Sequence, residues 1–264
     1  MTTDALPNAG ELDPQFGVDG VEQIEGPSDD FFRAHGLSLS DDGKLLIACS
    51  GVHSSGTYTY FLLGRRTQLG KPDVFGEKGF VSGRFTSDAS LSSEGLKTLL
   101  VKHSRYFLLG TFTDGTRSFL PAFARFDATG KIDTRFGRKG RYVASSTLPA
   151  EYGSASDPNI DACIQSTQHI LSIHPHASGP NILTTLILRS EPSGKRDDTF
   201  NENKAHIDAR QWGSERTRLT SIVVQADDKI VVCGYAEDIR GIKTGIILRY
   251  HKDGREDFVF RQQD

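Results

Sequence analysis

Two histidines separated by a single proline, His174 and His176, form the sharpest local chemical feature of this sequence. Side chains two positions apart on an extended segment point to the same side, so two neutral imidazoles there could share a metal ion with a third ligand. No carboxylate or cysteine stands at a conventional ligand spacing from the pair. We therefore expect polar loop histidines and no cofactor, with a divalent metal ion as the alternative.

Acidic side chains also occur in residues 145–162, a segment rich in Ser, Pro, Gly and Asp that forms the longest break between apolar runs. Glu151, Asp157 and Asp161 are weak candidates for a set of active-site carboxylates. Their oxygens could also bind calcium, but the D-x-D-x-D-G pattern of a calcium loop is absent. The segment is interpreted as an inter-strand loop that carries an insertion.

Four comparable loops, at residues 51–58, 111–120, 175–181 and 235–244, differ from one another in sequence. Loops that vary on a fixed scaffold are where binding specificity can be built, although the same residues also fit solvated hairpin tips. The single tryptophan, Trp212, lies in the segment 208–216, where it could stack on a sugar ring or be a partly buried packing residue. The candidate ligand-binding residues are His53, Tyr58, Asp114, Arg117, His176, Trp212, Glu237 and Arg240.

Common catalytic signatures are missing from the sequence. It contains no G-x-S-x-G, Walker, H-E-x-x-H or G-x-G-x-x-G motif. Cys49, Cys163 and Cys233 show no C-x-x-C spacing and stand among apolar residues, which indicates buried free thiols in a reducing compartment. A catalytic cysteine is the alternative.

An internal repeat organises the chain. Five glycines are each followed three residues later by an aspartate, at steps of 60, 60, 64 and 60 residues, and an aromatic residue closes each copy. An arginine stands eight residues before the aspartate in four of the copies. The members are Gly10, Asp13 and Phe16; Gly70, Asp73 and Phe75; Gly130, Asp133 and Phe136; Gly194, Asp197 and Phe200; Gly254, Asp257 and Phe260; and Arg65, Arg125, Arg189 and Arg249.

Repetition indicates what these residues do. Chemistry needs a group once, whereas packing needs it in every copy, so we interpret the repeated Arg and Asp as structural; a ring of equivalent binding sites is the alternative. Glycine permits a positive φ, Asp can bond its own downstream backbone, and the Phe anchors the turn in a core. In the fourth copy Asn201 replaces a glycine that follows the aromatic residue elsewhere.

The segments between motifs are short apolar runs rich in Val, Ile, Leu, Phe and Tyr, joined by polar turns such as 40–44 and 226–229. Such runs predict β-strands, and no segment has an apolar stripe of helical length. Four antiparallel strands per repeat, with the third run almost continuously apolar, are typical of a propeller blade.

The pattern G-K-x-D-x-x-F-G-x-x-G, after a D-G-K hairpin such as DDGKLLIACSG at 41–51, resembles the delta-60 repeat. That family of roughly 55- to 60-residue units occurs mainly in bacterial proteins. The resemblance covers residues 10–260 and implies a β-propeller-like fold. It carries no catalytic residues to this chain, and the third copy departs most from the pattern.

We therefore expect an all-β fold, a β-propeller of four four-stranded repeats that closes as one domain over residues 10–264, after a flexible tail at 1–9. Residues 21–25 would supply the strand that completes the last blade. The alternative is an open half-ring that a second copy completes. Four blades lie at the lower limit for propellers.

Charge limits the function classes. The chain has 31 basic and 34 acidic residues, a net charge of −3, which argues against nucleic-acid and anionic-membrane partners. The N-terminus lacks the features of a standard signal peptide, so a cytoplasmic location is expected. The first expectation is a non-catalytic module, monomeric or homodimeric, that binds a protein or carbohydrate through loops on one face. The alternatives are a metal-assisted lyase or hydrolase at the channel mouth, and an assembly part of a larger machine.

Overall fold

Strands make up nearly all the regular structure. The computed structural model describes residues 10–26, 30–56, 58–87, 92–101, 105–113, 119–143, 160–177, 183–209 and 214–261. No helix in these ranges is long and apolar enough to span a membrane. The elements are β1 (Phe31–Leu39), β2 (Leu45–Val52), β3 (Thr59–Arg66), β4 (Phe80–Gly83), β5 (Ser93–Val101), β6 (Arg105–Thr113), β7 (Phe119–Phe126), β8 (Arg141–Val143), β9 (Asp161–Ile164), β10 (Ile170–Ala177), β11 (Leu183–Ser190), the helical turn α1 (Phe200–Asn203), β12 (His206–Asp208), β13 (Arg216–Val224), β14 (Ile230–Glu237), β15 (Lys243–Tyr250) and the helical turn α2 (Phe258–Arg261).

The strands form successive antiparallel groups, which we name blades 1 to 4. Blade 1 has the order β1-β2-β3-β4, blade 2 has β5-β6-β7-β8, and blade 3 has β9-β10-β11-β12. Blade 4 contains β13, β14 and β15, and a single parallel pair, Leu183 with Arg216, connects it to blade 3. The fourth strand of blades 1 to 3 follows the Gly–Asp–Phe motif, so it belongs to the next sequence repeat.

The apolar core lies between consecutive blades. Leu63 of blade 1 and Leu108 of blade 2 belong to one buried cluster, Phe123 and Ile170 join blades 2 and 3, and a third cluster joins blades 3 and 4. Because neighbours cover both faces of β2 and β6, these strands are almost continuously buried, as their unbroken apolar runs predict.

The repeated Arg, Asp and Phe form one contact unit in each repeat. Arg189 donates to the Asp197 carboxylate at 2.7 Å, and its guanidinium lies 4.6 Å from the centroid of Phe200. The other three arginines repeat both contacts, with nitrogen–oxygen distances of 2.6 to 3.1 Å. This geometry agrees with the structural interpretation of the motif.

The motif also links each repeat to the next. Arg125 donates to the Pro192 carbonyl and Arg189 to the Lys252 carbonyl, both at 2.8 Å. Asn201, with φ of 51°, holds the left-handed conformation that Gly137 holds with φ of 50°. Its backbone N–H donates to the Asp253 carbonyl, as that of Gly137 does to Ser193, which explains why Asn can replace glycine here.

The two ends of the series do not join within the described residues. Residues 21–25 form no strand on blade 4; Val21 makes an isolated bridge with Val18, and Ile24 packs against blade 1. The prediction that this segment completes the last blade is therefore wrong, because the segment covers its own neighbouring blade. Residues 1–9, predicted to be a tail, lie outside the described residues.

Candidate functional site

A cavity of about 320 Å³ lies on blade 1, where the beginnings of β1 and β3 meet the end of β2 and the length of β4. Its volume falls at the lower end of the range for small-molecule sites. It combines two carboxylates, three aromatic rings, an imidazole, a guanidinium and a hydroxyl. The lining residues are Asp30, His53, Tyr58, Tyr60, Glu77, Phe80, Ser82, Gly83 and Arg84.

Tyr58 forms a stack in this cavity. The His53 ring lies 4.5 Å from the Tyr58 ring between centroids, with an interplanar angle of 29°, and the Arg84 guanidinium lies 3.6 Å from the Tyr58 centroid. Two groups this close cannot share one face of the ring, so Tyr58 lies between them. The stack fixes the positive charge of Arg84 at the cavity wall.

The β2–β3 hairpin explains the position of the stack. The backbone N–H of His53 donates to the Tyr58 carbonyl, which closes the loop, and Gly56 provides the positive φ that the tight turn needs. The His53 Nδ1 atom hydrogen-bonds Ser55 Oγ at 2.8 Å. The sequence predicted His53 and Tyr58 as binding candidates, and the structure brings both into one cavity.

The two carboxylates of the cavity differ in their partners. The Tyr60 hydroxyl donates to Asp30 Oδ2 at 2.8 Å. Glu77 is exposed in the tight turn that precedes β4, where its N–H and the Phe80 carbonyl pair, and its carboxylate has no hydrogen-bond partner among the described residues. One carboxylate is thus held and partly buried, and the other faces solvent.

The first strands of the blades carry a second polar cluster. Burial raises the pKa of Glu94 on β5, against the charge of Arg33 on β1. Burial, and less strongly Arg33, lowers the pKa of His35, whose Nε2 atom bonds Ser50 Oγ at 2.6 Å. The surroundings of Glu94 therefore favour its neutral, proton-donating form.

Asp161, a weak carboxylate candidate, connects three blades. It forms an ion pair with Lys97 of blade 2 and accepts hydrogen bonds at 2.9 Å from the Ser221 hydroxyl and the Ile222 N–H of blade 4. Its own blade contributes the N–H of Ala162. With its oxygens occupied by four donors, Asp161 stabilises the packing of blades and has little capacity left for a ligand.

His174 and His176 lie within β10, not in a loop, which corrects the sequence interpretation. The sequence favoured a loop that begins at Pro175, whereas this proline pairs with Thr185 inside the sheet. Burial lowers the pKa of His174 to about 3, and its Nε2 atom hydrogen-bonds Ser172 Oγ. Within the described ranges no three metal-ligating side chains come together, so the proposed third ligand to these histidines is not found there.

The remaining candidates are scattered. Glu237 lies 4.0 Å from Arg216 at the end of β14, and Arg240 pairs with Asp238 in the hairpin turn that follows. Neither lines the blade 1 cavity. Asp114, Arg117, Glu151, Asp157 and Trp212 lie outside the described residues.

Seven of the nine cavity residues were not predicted, among them Asp30, Tyr60, Glu77 and Arg84. Tyr60 stands within an apolar run of its strand, and Arg84 stands in the run FVSGRF. The sequence carries no direct signal for these residues. The pairing of β3 with β4 places Arg84 beside the β2–β3 loop, and this pairing is visible only once the blade is assembled.

Comparison with known proteins gives short or distant matches. A domain of unknown function (DUF5122) described as a beta-propeller matches residues 225–255, which supports a propeller-like repeat over that stretch. A search of curated protein sequences finds no match. Two solved structures that are similar are the GH93 alpha-L-arabinofuranosidase of Fusarium graminearum, with 13% identity and a TM-score of 0.46, and a thermostable family-43 glycoside hydrolase, with 10% identity and a TM-score of 0.44.

The chain spans about half the length of the Fusarium enzyme: 81% of this chain covers 56% of that one, and 84% covers 73% of the family-43 hydrolase. The alpha-L-arabinofuranosidase from Lactobacillus brevis is a further match, with 9% identity, a TM-score of 0.41, and coverage of 84% of this chain and 74% of that one. These similar structures are glycoside hydrolases, which the prediction of a non-catalytic binding module did not anticipate and its hydrolase alternative did.

Proposed function

We propose that this chain is a hydrolase that cleaves glycosidic bonds in the blade 1 cavity. The observation that carries the proposal is the presence of two carboxylates with different surroundings, Asp30 and Glu77, at one cavity of about 320 Å³. Most glycoside hydrolases use two carboxyl groups, one of which gives a proton to the leaving oxygen while the other acts as a base or nucleophile.

The partners of the two groups assign their roles. The Tyr60 hydroxyl donates to Asp30 and holds this carboxylate in place, which suits a base or nucleophile. Glu77 is open to solvent and has no described partner, so we give this second carboxyl group the role of proton donor to the leaving oxygen. No metal ion takes part in this assignment.

The cavity walls fit a sugar through polar contacts. Both faces of the Tyr58 ring are covered, by His53 and Arg84, so this ring does not stack on a substrate. The Arg84 guanidinium, the His53 ring and the Ser82 hydroxyl instead offer hydrogen bonds to sugar hydroxyl groups, which are the dense polar groups of a carbohydrate.

A second placement of the same chemistry has its own support. Glu94, with its pKa raised by burial, has the property expected of a general acid, and it lies on an inner strand, as a channel-mouth site requires. The two placements predict different essential carboxylates.

The experiment is hydrolysis of a panel of chromogenic aryl glycosides, arabinofuranosides included, by the wild type and by Asp30→Asn, Glu77→Gln and Glu94→Gln. The proposal expects kcat to fall at least about 100-fold in the first two variants, because general acid–base catalysis contributes about 10²–10⁴. Exposed Glu202→Gln is the matched control. Loss of activity in Glu94→Gln alone would move the site to the inner strands, and a wild type that binds glycans without cleaving them would overturn the proposal.

For the fold, we propose four repeats of the delta-60 type arranged as propeller blades. Support comes from the Arg–Asp–Phe unit, which recurs with nearly the same geometry at 60- to 64-residue steps. Deletion of one whole repeat should leave the remaining contact units intact, as circular dichroism and thermal unfolding would show.

A further inference from the structure

The face of blade 4 that carries Ile247 is uncovered, whereas the next blade covers the equivalent face of blades 1 to 3. The residue two positions before the repeated arginine occupies equivalent places in the four blades. Leu63, Phe123 and Ile187 are 0%, 1% and 0% exposed, whereas Ile247 is 61% exposed. The next blade covers the first three, and no described residue covers Ile247 in this way.

Blade 1 lacks cover on the opposite face, at its first strand β1. Leu37 pairs with Ile47, which pairs with Gly64, the residue before the repeated arginine. The residues in the same register in blades 2, 3 and 4 pack against the preceding blade and are 1–2% exposed: Thr98, Ala162 and Ile222. Leu37 is 67% exposed. Ile24 and Phe32 cover Ile47 on this side, so the open surface is centred on β1.

The motif that links successive repeats is also open at both ends. A Cβ added to the motif glycine would lie 2.6 to 3.0 Å from the preceding phenylalanine ring at Gly70, Gly130, Gly194 and Gly254. At Gly10 no described atom lies within 4 Å of that position. At the other end, Phe260 is 38% exposed, against 1% or less for Phe75, Phe136 and Phe200.

We propose that these two ends are the halves of one interface and that a second copy of this chain joins them head to tail. Blade 4 of one chain packs its Ile247 face on the Leu37 face of the other, and Phe260 lies against Gly10. The partner is a second copy because this chain already makes the same contact three times between its own blades. Two such contacts close a pair of chains around a twofold axis.

Charges of opposite sign introduced on the two faces of the interface test this pairing independently of any enzymatic activity. Leu37→Lys and Ile247→Glu each bury a charge in both contacts of a pair of identical chains. When the two variants are mixed, one contact joins the introduced lysine to the introduced glutamate, and the other retains the natural Leu37 and Ile247. Val74→Glu is the matched control, because Val74 is 93% exposed and lies on neither face.

The measurement is native mass spectrometry with light scattering at about 10 μM, after circular dichroism has shown that each variant is folded. We expect twice the 29.0 kDa chain mass for the wild type and for Val74→Glu, single chains for each interface variant alone, and pairs again in the mixture. A wild type that stays monomeric at ten times this concentration, or interface variants that stay paired, would overturn the inference.

Discussion

The ring of Phe200 occupies the space that a side chain on Gly254 would need. A Cβ on Gly254 would lie 2.7 Å from the edge of that ring, and the glycine has a φ of +95°. The contact joins the motif of one repeat to the turn of the next, so this glycine is required by both its backbone conformation and its neighbour.

Gly254→Ala should therefore destabilise the protein more than a glycine substitution that strains the backbone alone. The left-handed conformation costs roughly 1–2 kcal/mol for a residue with a Cβ. Displacement of the Phe200 ring adds about 1–3 kcal/mol. Gly56→Ala is the matched control, because Gly56 has a φ of +69° and open space around it. Urea unfolding of both variants measures the difference, and equal losses would contradict the contact.

Arg189→Lys should lower the free energy of unfolding by roughly 2 kcal/mol, because hydrogen bonds from charged groups contribute about 1.5–3 kcal/mol. Lysine keeps the charge beside Asp197 but cannot also reach the Lys252 carbonyl and lie flat on Phe200. The comparison variant is Arg196→Lys, whose pair with Asp198 lies at the surface. Thermal unfolding should leave that variant within about 0.5 kcal/mol of the wild type.

Acid should weaken the fold through Asp133. Hydrogen bonds from the Arg135 side chain, then its backbone N–H and the charge of Arg125, lower the pKa of Asp133 from 3.8 to about 2 despite burial. A carboxyl group with a lowered folded-state pKa stabilises the protein above its unfolded pKa, and this contribution disappears as the pH falls from about 4 to 2.

Asp133→Asn should accordingly be less stable than the wild type at pH 7, and its stability should fall less steeply between pH 4 and 2. Unfolding by urea across this pH range measures both effects. The exposed Asp41→Asn variant serves as the control and should follow the wild-type curve. Parallel curves for Asp133→Asn and the wild type would show that the Asp133 contacts do not contribute.

Tyr58→Ala should raise KM for a cleaved glycoside more than Tyr58→Phe does. The ring, not the hydroxyl, contacts His53 and Arg84, so phenylalanine keeps the stack and alanine releases the guanidinium. Steady-state kinetics should show a rise of roughly tenfold for alanine, equivalent to about 1.4 kcal/mol. Equal effects of the two variants would assign the role to the hydroxyl instead.

Cys49 and Cys163 should resist alkylation in the folded protein. Burial raises the pKa of each thiol to about 12, so almost no thiolate is present at pH 8. Cys233 lies on the uncovered side of blade 4 and is half-buried. Because the proposed pairing of chains would cover this side, the test uses the single-chain variant Leu37→Lys: peptide mass spectrometry after brief iodoacetamide treatment should find Cys233 modified first, and denaturant should remove the difference. Rapid modification of Cys49 without denaturant would contradict its burial.

Local patterns predicted the strands well because each run carries its own signal. The runs around Leu46, Phe107, Ile173 and Val232 all lie in central strands, and the repeated arginines bond the aspartates eight residues later, as a structural interpretation requires. These features depend on neighbours within one repeat, whose spacing the sequence displays directly.

The cavity could not be predicted in the same way. Asp30 precedes β1 and Arg84 follows β4, more than fifty residues apart, and only the closing of a four-stranded blade brings them to one cavity. The segment at 21–25 was misplaced for a related reason, because its apolar residues fit the open side of either blade 1 or blade 4.

The repeat of the sequence and the unit that folds are out of phase. Blades 1 to 3 each end with a strand that lies after the next motif, such as β4 at Phe80–Gly83. A duplication or deletion bounded by motif copies would thus separate three strands of one blade from the fourth and supply an equivalent fourth strand from the new neighbour. The array can change its number of repeats without leaving any internal blade with an unpaired edge. One repeat cut at its motif copies and expressed alone would instead hold the fourth strand of one blade and three strands of the next, and so no complete blade.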